Sequence, residues 1–167
     1  MNTSTLERTA AVDLTDSELL GALEDRFAER RVVDAEITRL AAQVSDRSCV
    51  TLGREGLATR LGENSPAAVL AAVGLIALSE ARLFCRLGDA TSASRSLTGE
   101  AVSPRYPLVA EAFSAGSITL DSAYWIVSDL DQASPRADFE QTRTAERLLC
   151  EFAMENPADS VRRMALA

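Results

Sequence analysis

No histidine and no lysine occur in the 167 residues, so all 17 basic residues are arginine. Without histidine the chain cannot by itself build a Ser-His-Asp triad, a Cys-His pair, a histidine zinc site or a metal-dependent histidine nuclease. Cysteine is scarce too. Cys49, Cys85 and Cys150 are odd in number and contain no C-x-x-C pair, which argues against a disulfide framework and a cysteine zinc site. Each stands beside an apolar residue (Val50, Phe84, Leu149), so three buried free thiols in a reducing cytoplasm are expected. Arg86 adjoins Cys85, but helical neighbours do not face each other and this adjacency activates nothing.

Long apolar runs are also missing. The longest, Ala67 to Leu78, lies between Pro66 and Ser79 and falls short of the roughly 20 residues of a membrane span. It reads as a buried helix of the core. Met1 to Ala11 is polar and has no signal-peptide core. No glycine-rich phosphate loop and no nucleophile motif is present. No catalytic residue, cofactor, metal, membrane contact or small-molecule substrate is therefore inferred, and the chain by itself is expected not to be an enzyme.

What remains is an ordinary globular composition, 47% apolar and 25% charged, of a size that suits one domain with or without a tail. Residues 1–13 read as a frayed or disordered lead, and 14–167 as a helical domain. Thr15-Asp16-Ser17-Glu18 has the form of a capping box. Behind it Leu20, Leu23 and Phe27, then Val33, Ile37, Leu40 and Val44, recur at helical spacing with a slip at Arg30-Arg31. This predicts a helix of roughly 30 residues, long enough to cross several others or to pair with another chain. Arg30 and Arg31 can bridge Asp34. Further helices are expected over 54–61, 66–78, 79–94, 108–115, 120–132 and 136–155, and from Ala158 onward, with a loop over 98–107 and no strand pair. The fold class is all-α, a bundle of six to eight helices built around Ala67–Leu78 and the helix of Trp125, whose default role is core packing.

Charge is uneven along the chain. Residues 1–46 carry 5 Arg against 10 acids, 47–105 carry 7 against 5, and 106–167 carry 5 against 10. The middle segment, at +2, is the one electrostatic hint of a polyanion site. Two helix-turn-helix frames fall within it. In the first, 57–62 followed by 66–72, the second helix is Ala67-Ala68-Val69-Leu70-Ala71-Ala72, with no donor for a base edge. In the second, 69–74 followed by a helix from Ser79, Arg82 and Arg86 stand one turn apart with Arg95 further on, and could meet phosphate or guanine. The competing reading pairs these arginines with surface carboxylates, Arg86 with Asp89 at i,i+3. Acid pairs such as Asp129 with Asp131 arise by chance among 25 acids.

Ser79-Glu80-Ala81-Arg82, and Val109 through Ala123 (VAEAFSAGSITLDSA), carry a resemblance. They resemble the helical N-terminal domain of unknown function, number 222 of its series, of actinobacterial HNH-endonuclease-like and thirteen-E-twelve repeat proteins. Matching positions are Glu80, Ala81, Arg82, Ala112, Gly116, Ile118, Thr119 and Ala123. The likeness spans about residues 15–165. Ser122 stands where that family often has His, and Ser117 where it often has Arg or Lys. Physically, Gly116-Ser117-Ile118-Thr119 is a helix stop followed by a new cap.

The resemblance implies that nuclease chemistry belongs to a C-terminal HNH module. The chain, ending at Ala167 inside a helical pattern, is expected to be truncated before it. The implied role is a non-catalytic accessory domain that assists DNA engagement through Arg82, Arg86 and Arg95. The alternative is a protein-interaction module, a homo-oligomer formed through the long first helix without nucleic-acid contact.

Overall fold

The computed structural model describes residues 14–95, 101–135 and 138–165. The expected lead over 1–13 and residues 98–100 of the expected loop lie outside the described residues. Eight α-helices are found among those described: α1 (Asp16–Arg47), α2 (Leu57–Arg60), α3 (Pro66–Gly74), α4 (Leu78–Thr91), α5 (Pro107–Ser114), α6 (Leu120–Ala133), α7 (Phe139–Glu155) and α8 (Ala158–Ala165). The all-α class and the long N-terminal helix are as expected.

Caps set the helix starts. Thr15 and Glu18 form the capping box of α1. Ser65 caps α3 with Pro66 in its first turn, and Thr119 caps α6. A helix of 32 residues is about 48 Å long, and Leu19, Leu20, Leu23 and Phe27 of its first half are exposed. The core is made by α4, α5, α6, α7 and α8 around Phe84, Leu87, Val109, Phe113, Ile126, Val127, Leu130 and Val161. α1 joins it through its second half, where Thr38, Ala41 and Ala42 are buried against α4.

Several expectations need correction. Ala67–Leu78 is not a buried core helix: α3 ends at Gly74, and only Ala67 and Val69 are fully buried. Val73 and Leu75 are 80% and 92% exposed. An all-apolar run has no solvent face to read, so its pattern could not show that one side stays open. The expected single helix over 54–61 is a 3-10 turn, Val50–Glu55, followed by the one-turn α2. α4 begins after Ala77, with no side-chain cap from Ser79, and ends at Thr91. The chain then forms a two-residue antiparallel pair, β1 (Ser94–Arg95) with β2 (Ala101–Val102), where no strand was expected. Among the cysteines Cys150 is buried and Cys85 half-buried, but Cys49 is exposed beside the Thr51 hydroxyl.

Leu75 closes α3 in the left-handed region, φ 52° and ψ 36°. A side chain with a Cβ adopts that conformation at a cost of roughly 1 kcal/mol, and glycine does so freely. Since the Leu75 side chain lies open to solvent, Leu75→Gly should stabilise the fold by about 0.5–1 kcal/mol in urea unfolding. A loss of stability instead would show that the Leu75 side chain is held by contacts.

Candidate functional site

α4 and α6 face each other across a groove of about 820 Å³. α4 presents Arg82 and Arg86 one turn apart, as the second helix-turn-helix frame requires. Arg105, just before α5, joins them. Arg95 is the second residue of β1, and its side chain lies outside the described residues. The structure thus brings Arg82 and Arg86 together and adds Arg105, which the sequence reading did not single out.

Three carboxylates line the same groove: Glu80, Asp89 and Asp131. Asp131 holds two of the three arginines in place. Its Oδ2 accepts from Arg86 Nη2 at 3.3 Å, and its Oδ1 from Arg105 Nη1 at 2.7 Å and from the Tyr106 hydroxyl at 2.8 Å. Partial burial pushes the Asp131 carboxyl up, but the hydrogen bonds from Tyr106, Arg105 and Arg86 outweigh it and hold the group below its ordinary range. Burial, with the Asp131 contact second, pushes the Tyr106 phenol up to about 12. Arg86 also donates to the Tyr124 hydroxyl at 3.4 Å and lies 5.3 Å from the centre of that ring. The carboxylate pairing expected of Arg86 is therefore real, with Asp131 of α6 as partner in place of Asp89. Three arginines and three acids leave the groove balanced in charge.

The motif that carried the family resemblance is structural. Gly116 takes a positive φ of 68° in the α5–α6 turn, and its carbonyl accepts from Arg31 Nε of α1 at 2.7 Å. Ile118, Ser122 and Ala123 are buried, and Thr119 caps α6. Arg31 is thus drawn away from Asp34, which Arg30 alone pairs at 3.5 Å. Trp125 is half-buried at the edge of the core, with Arg162 of α8 stacked 4.5 Å from its ring centre.

A second surface is apolar. α1 touches the α5–α6 turn at Arg31 and Val32. Before them Leu19, Leu20, Leu23 and Phe27 are 41–61% exposed. At i, i+3 and i+7, Leu20, Leu23 and Phe27 continue, nearly in line, the face that later buries Thr38 and Ala41. A Cβ added at Gly21 would meet nothing within 4 Å. The core-facing stripe of α1 therefore runs on for about three turns after the bundle has ended.

Among the described residues, no group of three His, Cys, Asp or Glu could hold a metal ion, and no helix is long and apolar enough to cross a membrane. A family model described as a domain of unknown function (DUF222) matches residues 35–166, beginning where α1 enters the bundle. No curated protein and no solved structure matches the chain.

Proposed function

Since this chain belongs to the DUF222 family of domains of unknown function, we propose that it serves as a non-catalytic accessory domain, such as those of HNH-endonuclease-like proteins, and that it works by self-association through α1. The observation that carries this reading is the uncovered stripe of Leu19, Leu20, Leu23 and Phe27. Apolar side chains held on a rigid helical face and left in water mark an interaction site. Further burial of these four on each of two chains gains roughly 8 kcal/mol, and an association cost of at least about 4 kcal/mol leaves an affinity near millimolar. Sedimentation equilibrium between about 10 μM and 1 mM should show a mass that climbs towards a dimer. Leu23→Glu with Phe27→Glu should hold the chain monomeric throughout, without unfolding it, because both positions lie outside the core. A wild-type mass that stays monomeric over this range would overturn the reading.

DNA engagement is the second reading, and one observation favours it: Arg82, Arg86 and Arg105 line a single groove. Against it stand the three carboxylates of the groove and the chain's net charge of −8. If the three arginines meet phosphates, affinity for duplex DNA should fall about 40-fold between 50 and 200 mM salt. Arg82→Ala with Arg86→Ala should remove most of it, as read by fluorescence anisotropy. No binding at 50 mM would exclude the groove as a DNA site.

A further inference from the structure

The geometry points to a second copy of this chain as the occupant of the α1 stripe, laid antiparallel about a two-fold axis near Leu23. This rests on the self-association reading and adds partner, direction and register to it. Charge order selects the direction. Residues 16–21 carry Asp16 and Glu18 and no cation, a sum of −2; residues 26–31 carry Arg26, Arg30 and Arg31 against Glu29, a sum of +2. A parallel pair would set each end segment against its own sign, whereas an antiparallel pair centred between positions 23 and 24 sets −2 against +2 at both ends; Glu24 and Asp25, at the centre, meet their own sign in either direction and do not select between them.

The apolar order agrees with the charges. In that register Leu20 of one copy meets Phe27 of the other, twice, and the two Leu23 side chains meet at the axis. Asp16 lies on the stripe itself and comes opposite Arg30 and Arg31. Arg30 is free to answer it: its side chain is 65% exposed, and its bond to Asp34 is a long 3.5 Å.

Length agrees as well. The open stretch of α1 begins at Asp16 and closes at Arg31 and Val32, where the α5–α6 turn covers the helix. A partner helix centred near Leu23 would start against that turn, and its own open stretch would end at the far edge of this window. The two bundles then stand clear of each other at opposite ends of the shared helix pair, about 22 Å apart along it.

The register is tested by disulfide trapping in a Cys49→Ser background, which removes the exposed native thiol. Chains carrying Leu20→Cys, mixed with chains carrying Phe27→Cys, should form the mixed disulfide at least ten times faster than Leu20→Cys chains link to one another. Asp16→Arg should weaken the dimer roughly 5- to 10-fold, as should Arg30→Asp, and the two together should restore it. Equal self-linking of Leu20→Cys would make the pair parallel and overturn this inference, with self-association through the stripe left standing. A chain that is monomeric at 1 mM would overturn both.

Discussion

Gly88→Ala should lower the stability of the bundle by about 2–3 kcal/mol, or about 5–10 °C in melting temperature. Gly88 lies on α4 where that helix crosses α1. A Cβ built there would come within 2.8 Å of the Thr38 carbonyl oxygen, 3.0 Å of the Ala42 amide nitrogen and 3.2 Å of the Ala42 Cβ. The first two are backbone atoms, so no rotamer change relieves the contact and the helices must move apart. Separation would open voids beside Leu87 and Ala41, both buried in the same layer. The better helix propensity of alanine returns only about 1 kcal/mol. Gly21→Ala is the control: with nothing within 4 Å, the same substitution should add helix to α1 and cost nothing. Urea unfolding of Gly88→Ala within about 0.5 kcal/mol of wild type would mean that α1 and α4 are not in close contact.

This crossing shows where sequence reading stops. The recurrence of large apolar residues found α1 and its length, and the Thr15–Glu18 box found its start, because both signals are local. The same recurrence makes Val33, Ile37, Leu40 and Val44 the large apolar residues of the second half. The structure buries Thr38, Ala41 and Ala42 there and leaves Val33 and Leu40 half open, since backbones this close admit only small side chains. Small residues carry little hydrophobic signal, so a contact made of Ala, Thr and Gly is invisible to a pattern of large ones. The slip noted at Arg30-Arg31 was its one trace. The groove was legible in part for a similar reason. Arg82 and Arg86 are neighbours on one helix, whereas Asp131 reaches Arg86 from 45 positions away, a distance that only tertiary packing closes. In the sequence Asp131 stands out only as half of a chance pair with Asp129.

Glu146→Ala should cost about 2–4 kcal/mol at neutral pH, although the acid it removes is buried. α5 begins with Tyr106-Pro107, and Tyr106 offers no side-chain acceptor to the free amides of the first turn. Glu146 of α7 supplies one instead: its Oε1 accepts from Leu108 N at 2.7 Å and Val109 N at 3.0 Å. Removal of the carboxylate leaves a buried donor at Val109 with no partner and a void beside it. Burial pushes the Glu146 carboxyl above its ordinary value, more than the two backbone donors pull it down. A folded-state value above the unfolded one gives stability that is complete below the unfolded pKa and is lost as pH rises through the folded pKa. Glu146→Gln keeps an acceptor oxygen and does not ionise. Its stability relative to wild type should therefore grow in its favour from about pH 4 upwards and level off once Glu146 has ionised. Urea unfolding of the three proteins at several pH values separates the two effects: alanine reports the lost cap and glutamine the buried charge. A wild-type-like Glu146→Ala would refute the cap, and a gap between glutamine and wild type that is flat with pH would refute the raised pKa.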